Sequence, residues 1–234
     1  MVNDLVLAFD KPLHWTSFDV VNRVRGMLCR ALGVKKLKVG HAGTLDPLAT
    51  GVVIVCTGKQ TKHIDELMNH TKEYVATLQL GATTPSFDLE HPIDATYPTE
   101  HITRELLDEV LPAFLGEQWQ VPPVYSAVKI NGKRAYEYAR KGQQDTIDIK
   151  PKLLVIDELE LLDFDDATMQ LTIRVVCSKG TYIRALARDI GERLHSGAHL
   201  IALRRTRVGD YTVNNCLTIE QFQETLSNEH MVND

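Results

Sequence analysis

The segment of this sequence best suited to chemistry is Gly40-His41-Ala42-Gly43-Thr44-Leu45-Asp46-Pro47-Leu48-Ala49-Thr50-Gly51. Its glycines let the backbone bend and let another molecule come close. Pro47 biases Asp46 toward extended backbone and fixes the chain after it. One carboxylate is thereby presented on a pre-organised loop beside the apolar run Val52–Cys56. No Gly-Lys-Ser/Thr follows, so this is not a phosphate-cradling loop. A plain structural reading stands beside the chemical one: Asp46 closes an Asx turn and His41 packs locally.

A second segment, Cys177-Ser178-Lys179-Gly180-Thr181-Tyr182-Ile183-Arg184, reads as a strand end, a tight turn and a helix start. Thr181 is expected to cap that helix. Arg184 then falls in the first turn, where the helix dipole disfavours a cation by roughly several tenths of a kcal/mol. A nearby carboxylate or phosphate would remove that cost; an exposed arginine in water is the alternative. Tyr74, in Lys72-Glu73-Tyr74, and Tyr125, in Pro122–Ala127, stand at strand ends. Tyrosines there ordinarily pack half-buried, and beside a basic groove they can stack on a base. The histidines lack metal-ligand spacing, so no metal is expected.

These residues must be positioned by alternating strands and helices. Leu5–Phe9 reads as a strand, and Ser17 as the cap of a helix carrying Val20, Val21, Val24, Met27 and Leu28. Gly33–Lys38 is a basic loop, and Val52–Cys56 a strand buried on both faces. Gln60–Asn69 reads as helix, Tyr74–Leu80 as strand, Ala82–Pro98 as loop, and Leu106–Phe114 as helix. Asn131-Gly132 signals a hairpin turn after Tyr125–Ile130, followed by a helix over Arg134–Lys141 with Gly142 just past its end. Val155–Phe164 and Met169–Cys177 are strands around Asp165-Asp166, the second alternating at Leu171, Ile173, Val175 and Cys177. Ile183–Leu194 is an amphipathic helix, Leu203–Val208 a strand, and Thr218 with Gln221 a capping box. The fold class is α+β.

The net charge of −5 argues against nucleic-acid binding, yet the charge is segregated. Residues 11–62 hold nine Lys/Arg against Asp19 and Asp46, and residues 129–141 hold five against Glu137. Residues 145–166 hold eight acids against Lys150 and Lys152, and Arg204, Arg205 and Arg207 cluster near the end. If the basic stretches share a face, the protein offers RNA a positive surface; otherwise they are solvated faces. Cys29, Cys56, Cys177 and Cys216 are far apart, as expected of reduced thiols in a cytoplasmic protein without disulfides or zinc. No apolar run approaches the ~18 residues of a membrane span, and the acidic N-terminus has no secretory n-region.

Gly40–Gly51, Lys11-Pro12, Lys72–Tyr74, Val121–Lys129, Asn131–Lys141, Cys177–Arg184 and Gly197–Leu200 through Leu203–Arg205 occur in one order. Together they resemble the bacterial TruB family, the tRNA pseudouridine-55 synthases, over nearly all of residues 5–210. The resemblance implies a pseudouridine-synthase fold: a central, mostly antiparallel mixed β-sheet flanked by helices, with the RNA cleft across it. It implies one catalytic domain over residues 1–234, with a core at 5–210 and a short helical tail at 211–234. It also implies a uridine in the T-arm stem-loop of tRNA as substrate, no cofactor, and a monomer acting without membrane or metal.

Residue by residue, Asp46 corresponds to the family's essential aspartate, Tyr74 to the tyrosine that stacks on the flipped uracil, and Arg184 to the arginine paired with the aspartate. His41 matches the histidine that helps fill the space left by the flipped base. Lys11, Tyr182, Asp88 and Leu203 fall at other substrate-binding positions. Lys129, Lys133, Arg134, Arg204 and Arg205 are expected to hold RNA. Two departures stand out. The family commonly carries a small PUA-type RNA-binding domain, whereas only about a helix follows Asn214, so a weaker RNA grip is expected. Thr83–Glu90 around Asp88 lacks the family's usual acid and small residues.

Turning uridine into pseudouridine detaches uracil from C1′ and reattaches it through C5, with no oxidation. A carboxylate, a pocket for an extruded base and exclusion of water suffice. The carboxylate could attack C1′, add to C6 of uracil, or remove a sugar proton; the sequence leaves all three open. Two other functions use the same features: a non-catalytic tRNA-binding or folding chaperone, indifferent to Asp46, and a nucleoside glycosylase acting on small molecules.

Overall fold

The computed structural model describes residues 4–143 and 146–231. Residues 1–3, read above for a secretory signal, and Asp145 of the acidic run lie outside the described residues. In chain order the elements are β1 (Val6–Lys11), α1 (Ser17–Ala31), β2 (Val39–His41), β3 (Ala49–Thr57), α2 (Ile64–Met68) and β4 (Lys72–Leu80). Next come β5 (Ala82–Thr83), β6 (Ala95–Thr96), α3 (Arg104–Val110), β7 (Gly116–Gln120), β8 (Lys129–Ile130), β9 (Lys133–Arg134) and α4 (Ala135–Ala139). The chain closes with β10 (Lys152–Asp165), β11 (Gln170–Cys177), α5 (Ile183–Arg193), β12 (Ala198–Val208), β13 (Tyr211–Thr212) and α6 (Ile219–Met231).

These elements form two compact units, Met1–Tyr74 with Leu203–Asp234, and Val75–Ala202. The boundary falls inside β4 and inside β12.

In the first unit β3 is the central strand. Along one edge it pairs antiparallel with β1, from Val6 opposite Cys56 to Lys11 opposite Gly51. Its other edge is shared: β12 pairs in parallel at Ala49–Gly51, and β2 pairs antiparallel at Val55–Thr57. Residues Val52 to Cys56 are fully buried, as a strand covered on both faces must be. Ala42, Val52, Ile54, Cys56 and Val208 make one apolar cluster there. Helix α1 buries Val20, Val21, Val24, Met27 and Leu28 at the expected spacing. Its cap is Thr16 rather than Ser17, because Thr16 and Asp19 bond reciprocally in a capping box. The Phe222 ring of α6 meets Phe9 of β1 edge-on at 5.3 Å, and Thr218 and Gln221 form the expected box before α6.

In the second unit the strands lie in the order β4, β11, β10, β7. Strand β4 alternates buried and half-buried positions along its length, and Leu171, Ile173 and Val175 of β11 are fully buried. Helix α5 turns Ile183, Ala185, Leu186, Ala187 and Ile190 inward. The Asn131-Gly132 turn has φ of 50° and 83°, the two left-handed positions of a type I′ hairpin, and joins β8 to β9.

The architecture is a mixed α+β fold, in which β3 pairs in parallel with β12 and antiparallel with β1, and β10 antiparallel with β11. Strand β7 (Gly-Glu-Gln-Trp-Gln) has no apolar alternation and was not anticipated; it is held by pairing with β10. The single helix expected through Leu106–Phe114 ends at Val110 and continues as a 3-10 turn, since Pro112 lacks an N–H for the α ladder. The helix expected at Gln60–Asn69 likewise begins as a 3-10 turn over Gly58–His63. All four cysteines are free thiols. No helix among the described residues is long and apolar enough to cross a membrane.

Candidate active site

Asp46 sits half-buried at the tip between β2 and β3. The loop is gripped on each side of it. Ser17, at the start of α1, takes both backbone groups of the preceding residue: its Oγ accepts from Leu45 N at 2.8 Å and donates to Leu45 O at 3.2 Å. His14 N donates to Pro47 O at 2.8 Å, and Ala49 N turns back to Asp46 O at 3.1 Å. Leu203, expected at the site, opens the parallel pairing opposite Ala49, three residues after Asp46. Gly51 has φ of 108°, and a Cβ there would overlap the Arg205 backbone, so only glycine serves at this point.

Lys11 is fully buried at the end of β1, where its Nζ donates to Trp15 O at 2.6 Å and to Pro12 O at 3.0 Å. Burial pulls its pKa from 10.5 down to about 8; the Asp46 carboxylate opposes that fall, and the Arg205 charge adds to it. His41, half-buried in β2, is held below its ordinary pKa by burial and then by Arg205, against a backbone hydrogen bond with Gly43. The imidazole is therefore neutral at pH 7. Asp46, Lys11, His41 and Arg205 thus form one electrostatic group.

Tyr74 is anchored through the two residues before it. Lys72 is buried and donates from Nζ to Met68 O and His70 O at the C-terminal end of α2, where carbonyls lack helical partners. Glu73 accepts from Thr206 Oγ1 at 2.8 Å and lies 3.5 Å from Arg207. Tyr74 itself is buried.

The second unit carries Arg184 at the second position of α5. It is 5% exposed, so the reading of a solvated arginine fails. Its NH2 donates to Tyr125 O at 3.0 Å and its NH1 to Ser86 O at 3.2 Å, with Asp88 Oδ2 3.7 Å from Nε. Asp88 also accepts Glu90 N, and its carbonyl accepts Thr84 Oγ1. The 84–90 turn depends on Phe87, whose φ of 61° is unusual for an aromatic residue. The Phe87 ring lies 5.1 Å from the Arg188 guanidinium, and the Tyr125 ring packs on His91 at 4.4 Å. Thr181 does not cap α5, because its hydroxyl turns back to Ser178 O. Tyr182 holds the cap position without a side-chain bond to the helix, and its N–H goes to Gln120 Oε1 at 2.9 Å.

Lys129, Lys133 and Arg134 are exposed on the β8–β9 hairpin. The expectation for Arg205 as an RNA contact is corrected: it is 2% exposed, and its guanidinium bonds Val52 O, Thr44 O and Gly43 O. Arg204 is half-exposed and already engaged, at 2.7 and 3.2 Å with Asp10 and 3.1 Å with Thr50 Oγ1. Sequence reasoning also missed Ser17 as a loop clasp and Lys72 as a helix-end anchor. Only the Thr16-x-x-Asp19 spacing carried a local signal, and it pointed to the cap.

Two solved structures define the class to which this fold belongs. Over 98% of its length the chain resembles 56% of a chain in an archaeal box H/ACA sRNP Nop10-Cbf5 complex, with a TM-score of 0.68 and 25% identity. Over 94% of its length it resembles 53% of a chain in a Cbf5-Nop10-Gar1 complex, with a TM-score of 0.69 and 29% identity. The chain thus spans about half the length of those solved chains and has the pseudouridine-synthase fold. Residues 30–183 match the N-terminal domain of the TruB family pseudouridylate synthases, and residues 184–234 the tRNA pseudouridylate synthase B C-terminal domain. The chain belongs to the TruB family of pseudouridylate synthases. It is 66% identical to a tRNA pseudouridine synthase B of Phocaeicola vulgatus, covering 97% of this chain and 94% of that one. Against its counterpart in Bacteroides thetaiotaomicron the figures are 65%, 98% and 95%. With that of Dechloromonas aromatica it shares 44% identity over 94% of this chain and 70% of the relative.

Proposed function

We propose that this enzyme converts a uridine of the tRNA T-arm, uridine 55, into pseudouridine, with Asp46 as the catalytic carboxylate. The observation that carries the reading is the Asp46 loop, whose neighbours Leu45, Pro47 and Ala49 are each tied by backbone bonds. Orientation of this kind is worth several orders of magnitude in rate when the reacting group is held in place beforehand. Relatives named for tRNA, 65–66% identical along nearly the whole chain, support the choice of substrate.

In the reaction the C1′–N1 bond breaks, uracil turns, a C1′–C5 bond forms, C5 loses its proton and N1 gains one. Atoms balance within the substrate, so no redox cofactor or metal is required. Tyr74 supplies the stacking face that offsets extrusion of the base, at roughly 1–3 kcal/mol. By the family resemblance His41, Lys11 and Leu203 of the first unit, and separately Tyr182 and Asp88 of the second, are assigned to substrate binding, and Arg184 acts as the family's arginine. Lys129, Lys133 and Arg134 meet phosphates. The enzyme works in the cytoplasm as a monomer.

The test is an unmodified tRNA transcript incubated with the protein and mapped for pseudouridine by nucleoside analysis. Product is expected at position 55, and Asp46→Asn is expected to abolish it while the protein stays folded. Tight RNA binding with no product from the unaltered protein would replace the enzyme by a tRNA-folding chaperone.

A further inference from the structure

We propose that Arg205 is the positioning residue of the catalytic loop: its buried guanidinium replaces a missing stretch of strand and holds the backbone before Asp46 in place. The inference rests on Asp46 being the catalytic carboxylate. Its geometry begins at the shared edge of β3. There β12 pairs up to Gly51, and β2 takes over only at Val55. The carbonyls in between would be left without partners in a dry interior, at a cost of roughly 1–3 kcal/mol each. Ile54 O is met by Ala42 N at 2.9 Å. Val52 O is met by Arg205 Nε at 2.7 Å, so a side chain completes the ladder at the carbonyl just past the β12 pairing.

The rest of the same plane reaches the loop. NH2 donates to Gly43 O at 3.2 Å and NH1 to Thr44 O at 3.3 Å, three and two residues before Asp46. A guanidinium is a rigid fork with donors in fixed directions, so strand and loop cannot shift independently while all three bonds hold. A lysine, with one rotatable head, cannot span the same three acceptors. Gly43, at φ of 106°, presents its carbonyl in a left-handed conformation, and Gly51 clears the Arg205 backbone. Leu45 is fixed by Ser17 and Ala49 by Leu203, so Arg205 secures the remaining, entering side of the loop. The charge has a second consequence. It pushes Lys11 and His41 toward their neutral forms, which gives a readout that simple packing would lack.

The experiment compares Arg205→Lys and Arg205→Met with the unaltered enzyme on one tRNA transcript, by single-turnover rate and by RNA Kd. The rate should fall about 100-fold in Arg205→Met, the loss typical of an ångström-scale misplacement, and recover in part in Arg205→Lys. Kd should stay within about threefold, since the substitution takes away no group that meets a phosphate. Amide hydrogen exchange should quicken over residues 42–49 and not in β10 or β11, and the Lys11 pKa should rise in Arg205→Met. If Arg205→Met fails to fold, the same rate-against-Kd split in Arg205→Lys decides. Unchanged rates in both variants, or a loss that falls on Kd, would overturn the proposal. An inactive Asp46→Asn beside a fully active Arg205→Met would reject the positioning role alone. An active Asp46→Asn would reject the catalytic reading beneath it.

Discussion

Arg184 and Asp88 form a buried ion pair, Nε to Oδ2 3.7 Å, within one unit. Only the arginine was singled out by its place in a helix start; its carboxylate lies 96 positions earlier in a turn with no recognisable motif. The pair answers the helix-dipole cost noted for Arg184, because a carboxylate now faces the cation at the head of α5. Asp88→Asn keeps the shape but removes the charge. Urea denaturation should show a loss of about 1–3 kcal/mol, less than for a close, fully buried pair because 3.7 Å is long. An unchanged midpoint would mean that the fold does not depend on the Asp88 charge beside the guanidinium.

Tyr74 offers a ring and a hydroxyl, and two substitutions separate them. Tyr74→Phe keeps the stacking surface and should stay within a few-fold of full activity. Tyr74→Ala should lose about 5- to 150-fold in kcat/KM, equivalent to the 1–3 kcal/mol of base stacking. Equal losses in both variants would shift the role to the hydroxyl.

Gly51 and Gly132 both have positive φ, 108° and 83°, yet they face different surroundings. A Cβ at Gly132 meets nothing within 4 Å, whereas at Gly51 it strikes the Arg205 backbone. Gly132→Ala should cost about 1 kcal/mol of backbone strain. Gly51→Ala should cost at least about 3 kcal/mol and most of the activity, since the β3–β12 pairing must part. Thermal unfolding of the two variants checks the order; equal shifts in Tm would contradict it.

Lys11 supplies a pH signature. Its pKa is lowered to about 8 in the fold from 10.5. Between those values the unfolded chain binds more protons than the native one, so this group adds stability as pH rises. The stability difference between the unaltered protein and Lys11→Met should therefore move in favour of the lysine from pH 8 to 10.5. Asp46→Asn, which removes the charge that supports the ammonium, should lower the Lys11 pKa further, readable by NMR. A pKa that stayed put in Asp46→Asn would mean that the two groups do not sense each other.

The hairpin lysines and arginine predict a salt effect. Lys133→Glu with Arg134→Glu should weaken tRNA binding and flatten the plot of log K against log salt. Each phosphate no longer neutralised should reduce the slope by about 0.7–0.9. Fluorescence anisotropy at several salt concentrations measures it; an unaltered slope would remove the hairpin from the RNA interface.

What sequence alone determined follows from short-range rules. The run Val52–Cys56 reads as a covered strand, Asn131-Gly132 signals a hairpin turn, and the apolar period of α1 and α5 named their inward faces. The glycines and Pro47 around Asp46 marked the loop that the fold clamps. What only the tertiary structure decided are pairings made across long separations. Arg204-Arg205-Thr206-Arg207 reads locally as a basic, RNA-facing run. Side chains of a strand alternate faces, and nothing within those residues says which face is covered. The parallel pairing of β12 with β3, about 150 residues away in the chain, turned Arg205 inward and left Arg204 with Asp10. The same reason hid Asp88 beside Arg184 and Ser17 beneath Leu45: a polar side chain shows its partner only when the chain brings that partner to it.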